Sequence, residues 1–234
     1  MQKVFRIDLN GVNCYLGKQN DNFILFDTGG HTVFDKQFDN RYDMLMSQLK
    51  TYCCTPENLK LIVLTHGDND HVANASALRK HFGAKIAMHE SDKILVEYPS
   101  IDGAMKTFNF QSVLYKFAAL FIKGKAQKAI TQALNEYEKF TPDILLSDGG
   151  NLHEYGFDAT VFHLPGHTNG SIAILTSTGD LIAGDLFINT PKPAIIPMGY
   201  DFVLLKESVN RVKLMNIQTI FPGHGNPFKL KDLK

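Results

Sequence analysis

The 234-residue chain has no excess of charge of either sign, with 24 Lys and Arg against 24 Asp and Glu. Such a balance leaves no net field to draw a polyanion, so neither nucleic acid nor a membrane is an expected partner, and a small-molecule substrate fits better. Cysteine is scarce. Cys14, Cys53 and Cys54 make an odd count without spaced pairs, which excludes a disulfide framework and suits a reducing compartment. The first ten residues interrupt their apolar positions with charges, so they lack the core of a signal peptide, and the expected location is cytoplasmic. No internal repeat or low-complexity stretch is visible. At 44% hydrophobic and 21% charged residues, the composition suits a globular protein with a sizeable core, and the length suits a single domain over residues 1–234.

The opening reads as a meander of three short strands, Lys3–Leu9, Asn13–Gly17 and Phe23–Asp27, separated by turn residues at Asn10-Gly11 and 19–22. Phe34, Phe38, Tyr42, Leu45 and Leu49 then fall three or four apart, which predicts an amphipathic helix lying on a sheet. Leu61–Leu64 is a continuous apolar run, as expected of a strand covered on both faces. A helix over Asn74–Phe82, a strand over Lys85–Met88 and a helix capped by Ser91 continue the alternation. From about 99 to 140 the pattern turns to helices alone, with Phe110, Leu114, Phe117 and Phe121 at helical spacing, and this segment reads as an insertion. Strands return at Ala159–Leu164, Ser171–Thr176 and Leu181–Ala183, followed by a helix over Asp201–Met215 and a strand over Gln218–Phe221. Two sheets face to face with helices outside accommodate these elements.

Thr65-His66-Gly67-Asp68-Asn69-Asp70-His71 places four potential metal ligands within six residues, between a buried strand and a helix. Imidazole and carboxylate at this density suit Zn, Fe or Mn. A single aspartate there could equally cap the following helix. The cluster gains weight because ligand types recur in glycine-containing loops after other strands, at Pro165-Gly166-His167-Thr168, Gly184-Asp185 and Pro222-Gly223-His224-Gly225. His31, His81, His89, His153 and His163 stand outside this pattern.

These loops resemble the five motifs of the metallo-β-lactamase superfamily, from Phe26-Asp27-Thr28-Gly29 to His224. The resemblance implies an α/β fold, a four-layer αββα sandwich, and a dinuclear site. It implies that His66, the residue at 68 and His167 hold one divalent ion, that Asp70, His71 and His224 hold a second, and that Asp185 bridges them. Asp27 would support the loops, with Thr168 and Ser171 either doing the same or serving only as turn residues. The family's H-x-H-x-D-H is here H-x-D-x-D-H. The carboxylate of Asp68 adds a hard oxygen ligand and a negative charge, favouring Fe or Mn beside Zn. A hydrolase of a small ester, thioester, lactone or phosphoester follows, with Asp70 orienting the attacking water and Tyr200 a candidate donor to a developing oxyanion. Two other readings remain open: a diiron redox enzyme resembling the flavodiiron proteins, which carry a carboxylate at the same position, and a metal-binding sensor without catalysis. With ten residues after His224, the separate glutathione-binding domain of glyoxalase II-like enzymes is not expected. The aromatic stripe of the insertion is expected by default to bury against the domain, with a substrate wall or a homodimer contact as alternatives.

Overall fold

The computed structural model describes residues 1–233. Strands β1 (Gln2–Asp8), β2 (Asn13–Gln19) and β3 (Asn22–Phe26) form the antiparallel meander. Helix α1 (Tyr42–Thr51), strand β4 (Leu59–Val63), helices α2 (Asn69–Val72) and α3 (Ala75–Phe82) and strand β5 (Lys85–His89) follow. Helices α4 (Lys93–Glu97), α5 (Ile101–Met105) and α6 (Val113–Asn135) then lead to β6 (Ile144–Leu146). The second half holds β7 (Ala159–His163), β8 (Ile172–Thr176), β9 (Asp180–Asn189), β10 (Pro193–Ile195), α7 (Phe202–Lys213) and β11 (Thr219–Gly225). Strands β1 to β6 make one sheet in sequential order; the other runs β10-β9-β8-β7, with β11 parallel to β9.

Alternation along the strands explains the layering, because successive side chains point to opposite faces. In the first sheet Leu25, Ile62 and Ile86 point outward to meet Leu45 and Leu49 of α1 and Leu78 and Phe82 of α3. Their neighbours Ile24, Phe26, Leu61, Val63 and Ala87 point inward, against Val161, Ile172, Ile174 and Ile182 of the second sheet. On the far side Ala173, Leu181, Ala183 and Ile220 pack on Leu205, Val209 and Val212 of α7. Helix, sheet, sheet and helix are thus stacked with a core at each of three interfaces, the αββα order expected.

The structure corrects three local expectations. Helix α1 starts at Tyr42, and Phe34 lies on the surface. The cause is Arg41, a buried guanidinium in the left-handed conformation that donates to the carbonyls of Leu9, Gly30 and Asp39 and pairs with Asp35. A chain folded around one arginine in this way forms a loop over 30–41, whatever its apolar spacing. Ser91 does not cap a helix; it sits inside a short 3-10 turn, where its own amide donates to the imidazole of His89. The insertion does not bury its aromatic stripe: Leu114 (73%), Phe117 (61%) and Phe121 (77%) are exposed, and α6 rests on the domain through Ala126 and Ala133. Strands β6 and β10, three residues each, carry too little periodicity to stand out in the sequence.

Candidate metal centre

The motif residues arrive at one place from five strands. Asp27 follows β3 with φ near 60°, a left-handed backbone that aspartate tolerates better than most residues. Its buried carboxylate accepts from the Thr65 amide and hydroxyl at 2.7 and 2.8 Å and from Nδ1 of His71 at 2.9 Å. That single side chain therefore orients the loop from Thr65 to His71. The Thr65 hydroxyl, having donated to Asp27, accepts from Nδ1 of His66 at 3.0 Å. His167 Nδ1 donates to the Met198 carbonyl at 3.1 Å, and His224 Nδ1 to the Gly11 carbonyl at 2.6 Å. All four imidazoles thus have Nδ1 tied back to the scaffold, which fixes the tautomer and leaves each Nε2 lone pair directed inward.

The rings of His66 and His71 lie 4.2 Å apart, those of His66 and His167 4.9 Å, and those of His71 and His224 5.4 Å. Asp185 sits among them, with Oδ1 3.4 Å from His71 Nε2 and Oδ2 3.2 Å from His224 Nε2 and 3.7 Å from His167 Nε2. Asp68 stands at the N-cap position of α2 yet makes no capping bond; its Oδ2 turns instead to His167 Nε2 at 3.2 Å and His66 Nε2 at 4.0 Å. Asp70 Oδ2 lies 3.6 Å from His224 Nε2 and 4.0 Å from His71 Nε2. The donors fall into the sets His66/Asp68/His167 and Asp70/His71/His224, with His66, His71 and Asp185 grouped between them; within each set the ligand atoms lie within 4.8 Å of one another. Gly223 is required at the centre, since a β-carbon there would collide with the carboxylate of Asp185 and the ring of His71.

Among the described residues, Nε2 of His66, His71 and His167 and Oδ1 of Asp185 are buried without a hydrogen-bond partner. Four orphaned polar atoms around one point would be costly unless a cation held them, so these residues fit a metal pair. The charges agree. Burial opposes protonation of His167 and His224, but the facing carboxylates, Asp68 and Asp185 for the first and Asp185 and Asp70 for the second, outweigh it and lift both imidazoles to about 9. His71 is raised well above its ordinary value against the same burial, by Asp185, Asp27 and Asp70. His66 is held neutral, by burial and by its neighbour His71. Asp185, in spite of burial, is kept ionised by His224 and His71. Protons on the imidazoles stand where cations belong.

Tyr200 lies close by, and its hydroxyl donates to the Gly103 carbonyl of α5 at 2.9 Å, so its proton is committed to the insertion. The five histidines set aside above lie outside the ligand groups; His163 donates to the Asn169 carbonyl and stacks on His89. Three supporting residues, Asp92, Asn13 and Tyr15, are not marked in the sequence. Asp92, buried, accepts from the Gly67 and Gly170 amides and the Thr168 hydroxyl, tying the His66 loop to the His167 loop. Thr168 is thereby a structural link, and Ser171 bonds its amide and hydroxyl. Asn13 donates to the Pro222 and Gly225 carbonyls, and Tyr15 to the Pro222 carbonyl, which pins the turn bearing His224. An aspartate after a strand is the one signal for Asp92, and any helix-capping residue shares it. Asp92→Ala is expected to weaken metal binding by about 10- to 100-fold, the usual cost of losing support behind a ligand. Titration with Zn against a competing chelator measures this.

An αββα sandwich with histidine and aspartate loops converging between its sheets is the architecture of metal-dependent hydrolases. The model of the metallo-beta-lactamase superfamily matches residues 7–224, and the chain belongs to that superfamily. It is 30% identical over 180 residues to a hydroxyacylglutathione hydrolase, GloC, of Haemophilus influenzae, covering 72% of this chain and 70% of that one. It is 24% identical over 166 residues to an acyl-coenzyme A thioesterase, MBLAC2, of Bos taurus, covering 66% of this chain and 56% of that one. The crystal structure of the BLEG-1 B3 metallo-beta-lactamase superposes with a TM-score of 0.69 at 22% identity, covering 99% of this chain and 95% of that one, and shares the fold.

Proposed function

We propose that this chain hydrolyses a small acyl thioester at a dinuclear metal centre. The observation that carries the reading is the pair of donor sets on either side of the His66/His71/Asp185 group, with inward-facing Nε2 atoms left without partners. His66, Asp68 and His167 would hold one divalent ion and Asp70, His71 and His224 the other, with Asp185 available to both. Zn, Fe and Mn all suit this set, and the Asp68 oxygen favours the harder ions. When bound, such a pair supplies a nucleophilic water near neutral pH and polarises the acyl carbonyl. Asp70, which burial lifts above the ordinary carboxylate range, stands beside His224 where it would orient such a water. The nearby Nδ1 bonds keep the imidazoles from rotating. The thioester class is supported by the two relatives, since acylglutathione and acyl-coenzyme A are both thioesters.

Tyr200 serves here to hold α5 against the site. Tyr200→Phe is accordingly expected to lower kcat by less than about tenfold, whereas loss of an oxyanion donor costs roughly 100- to 1000-fold. A panel of thioesters, esters, lactones and phosphodiesters tests the substrate class on protein loaded with Zn, Mn or Fe. Thioester turnover well above the others supports the reading. Turnover confined to lactones or phosphodiesters rejects it, and oxygen consumption by the iron form points to redox chemistry instead.

A further inference from the structure

The charge balance of the whole chain hides a segregation. Residues 103–135 contain Lys106, Lys116, Lys123, Lys125 and Lys128 and no acidic residue, so the remainder carries five more acidic than basic groups. Most of this excess lies on α6, the longest helix described. At about 100° per residue, Ala126 and Ala133 lie on the side that seats the helix on the domain. Val113, Phe117, Leu120, Phe121 and Gly124 fall on the opposite side, and the four large side chains among them are exposed. Lys116 and Lys123 border this apolar stripe on one flank and Lys125 on the other, and Lys128, one turn past Gly124, ends it on the same outward face. A soluble surface rarely leaves such a stripe uncovered.

We infer that the outward face of α6 docks on an anionic phospholipid surface. Lysines flanking an apolar stripe of phenylalanine, leucine and valine are what an interfacial helix needs: the stripe enters the boundary of the acyl chains while the ammonium groups meet phosphates. No helix among the described residues is long and apolar enough to cross a membrane, so the association is peripheral. A second copy of the chain fits less well, because pairing two α6 stripes would bring lysine flanks together with no acid on either helix to offset them. The segment leading into α6 is hydrogen-bonded to the loop behind His167. Gly199 donates to the Asn109 carbonyl and Gln111 to the Pro197 carbonyl, beside Met198, whose own carbonyl holds His167. This inference stands apart from the hydrolase reading.

The test is sedimentation of the full chain with vesicles of phosphatidylcholine alone or mixed with phosphatidylserine. The expected result is binding to the mixed vesicles only, released by high salt. It should weaken by on the order of tenfold or more in Phe117→Glu/Phe121→Glu and in Lys116→Glu/Lys123→Glu, with unchanged circular dichroism and unfolding midpoint. Absence of binding to anionic vesicles overturns the inference, as does binding that neither double variant alters. A dimer in analytical ultracentrifugation that Phe117→Glu/Phe121→Glu dissociates, without vesicle binding, assigns the face to a second copy.

Discussion

Replacing Asp185 by alanine is expected to abolish most of the hydrolytic activity, by roughly a thousandfold or more. Its two oxygens are the shared part of the site, facing Nε2 of His71, His167 and His224 at 3.4, 3.7 and 3.2 Å. A metal acting as Lewis acid contributes several kcal/mol to the transition state, and each 1.4 kcal/mol is about a factor of ten in rate. If Asp185 is the ligand common to the two donor sets, as proposed, its loss forfeits most of that contribution. The fold itself should persist, because β9 is anchored by Ile182, Leu181 and Phe187 in two cores and the imidazoles can shed their protons once the carboxylate is gone. Steady-state kinetics with circular dichroism as a control measures both. Activity within tenfold of wild type would show that Asp185 does not bridge the ions.

The second large effect is in pH. In the metal-free protein His167 and His224 are raised to about 9 from 6.5, because burial is outweighed by their carboxylate neighbours. A raised imidazole stabilises the folded state fully below pH 6.5, and that contribution is lost as pH rises through 9. Metal binding needs the neutral imidazoles, so it releases protons, and its apparent affinity climbs by about tenfold per pH unit for each proton displaced. The two trends have opposite signs between pH 6.5 and 9. With chelator present the melting temperature should fall over this window, while the increment due to added Zn or Mn should widen. A metal increment independent of pH would mean that the imidazoles are not the ligands.

Much of this site is legible in the sequence because its ligands occur as short motifs. His66 to His71 spans one loop, and His167 and His224 each follow a Pro-Gly turn that lets an imidazole reach the sheet edge. The αββα layering is legible for a related reason: Leu61–Leu64 announces burial on both faces, and short strands alternate with amphipathic helices on either side of the insertion. Of the residues that support these loops, Asp27 is legible through its motif, but the long-range ones are not. Asp92 lies 25 residues from Gly67 and 78 from Gly170, and Asn13 reaches Gly225 across 212 residues. Such partners are set by the folded topology and leave no local pattern. Arg41 misleads for the opposite reason, since the spacing from Phe34 to Leu49 is genuine, yet one buried guanidinium captures the carbonyls around it. The α6 stripe shows that helical periodicity reports a face without reporting what covers it, and whole-chain charge misses lysines gathered on a single element.

The most direct test of the central claim is a diffraction experiment on crystals of the metal-loaded protein, with data collected at the absorption edge of the bound metal. Two anomalous peaks are expected, one about 2 Å from donor atoms of His66, Asp68 and His167 and one at similar distance from Asp70, His71 and His224, both in reach of Asp185. A single peak, or a pair that leaves Asp68 and Asp185 without contact, would contradict it.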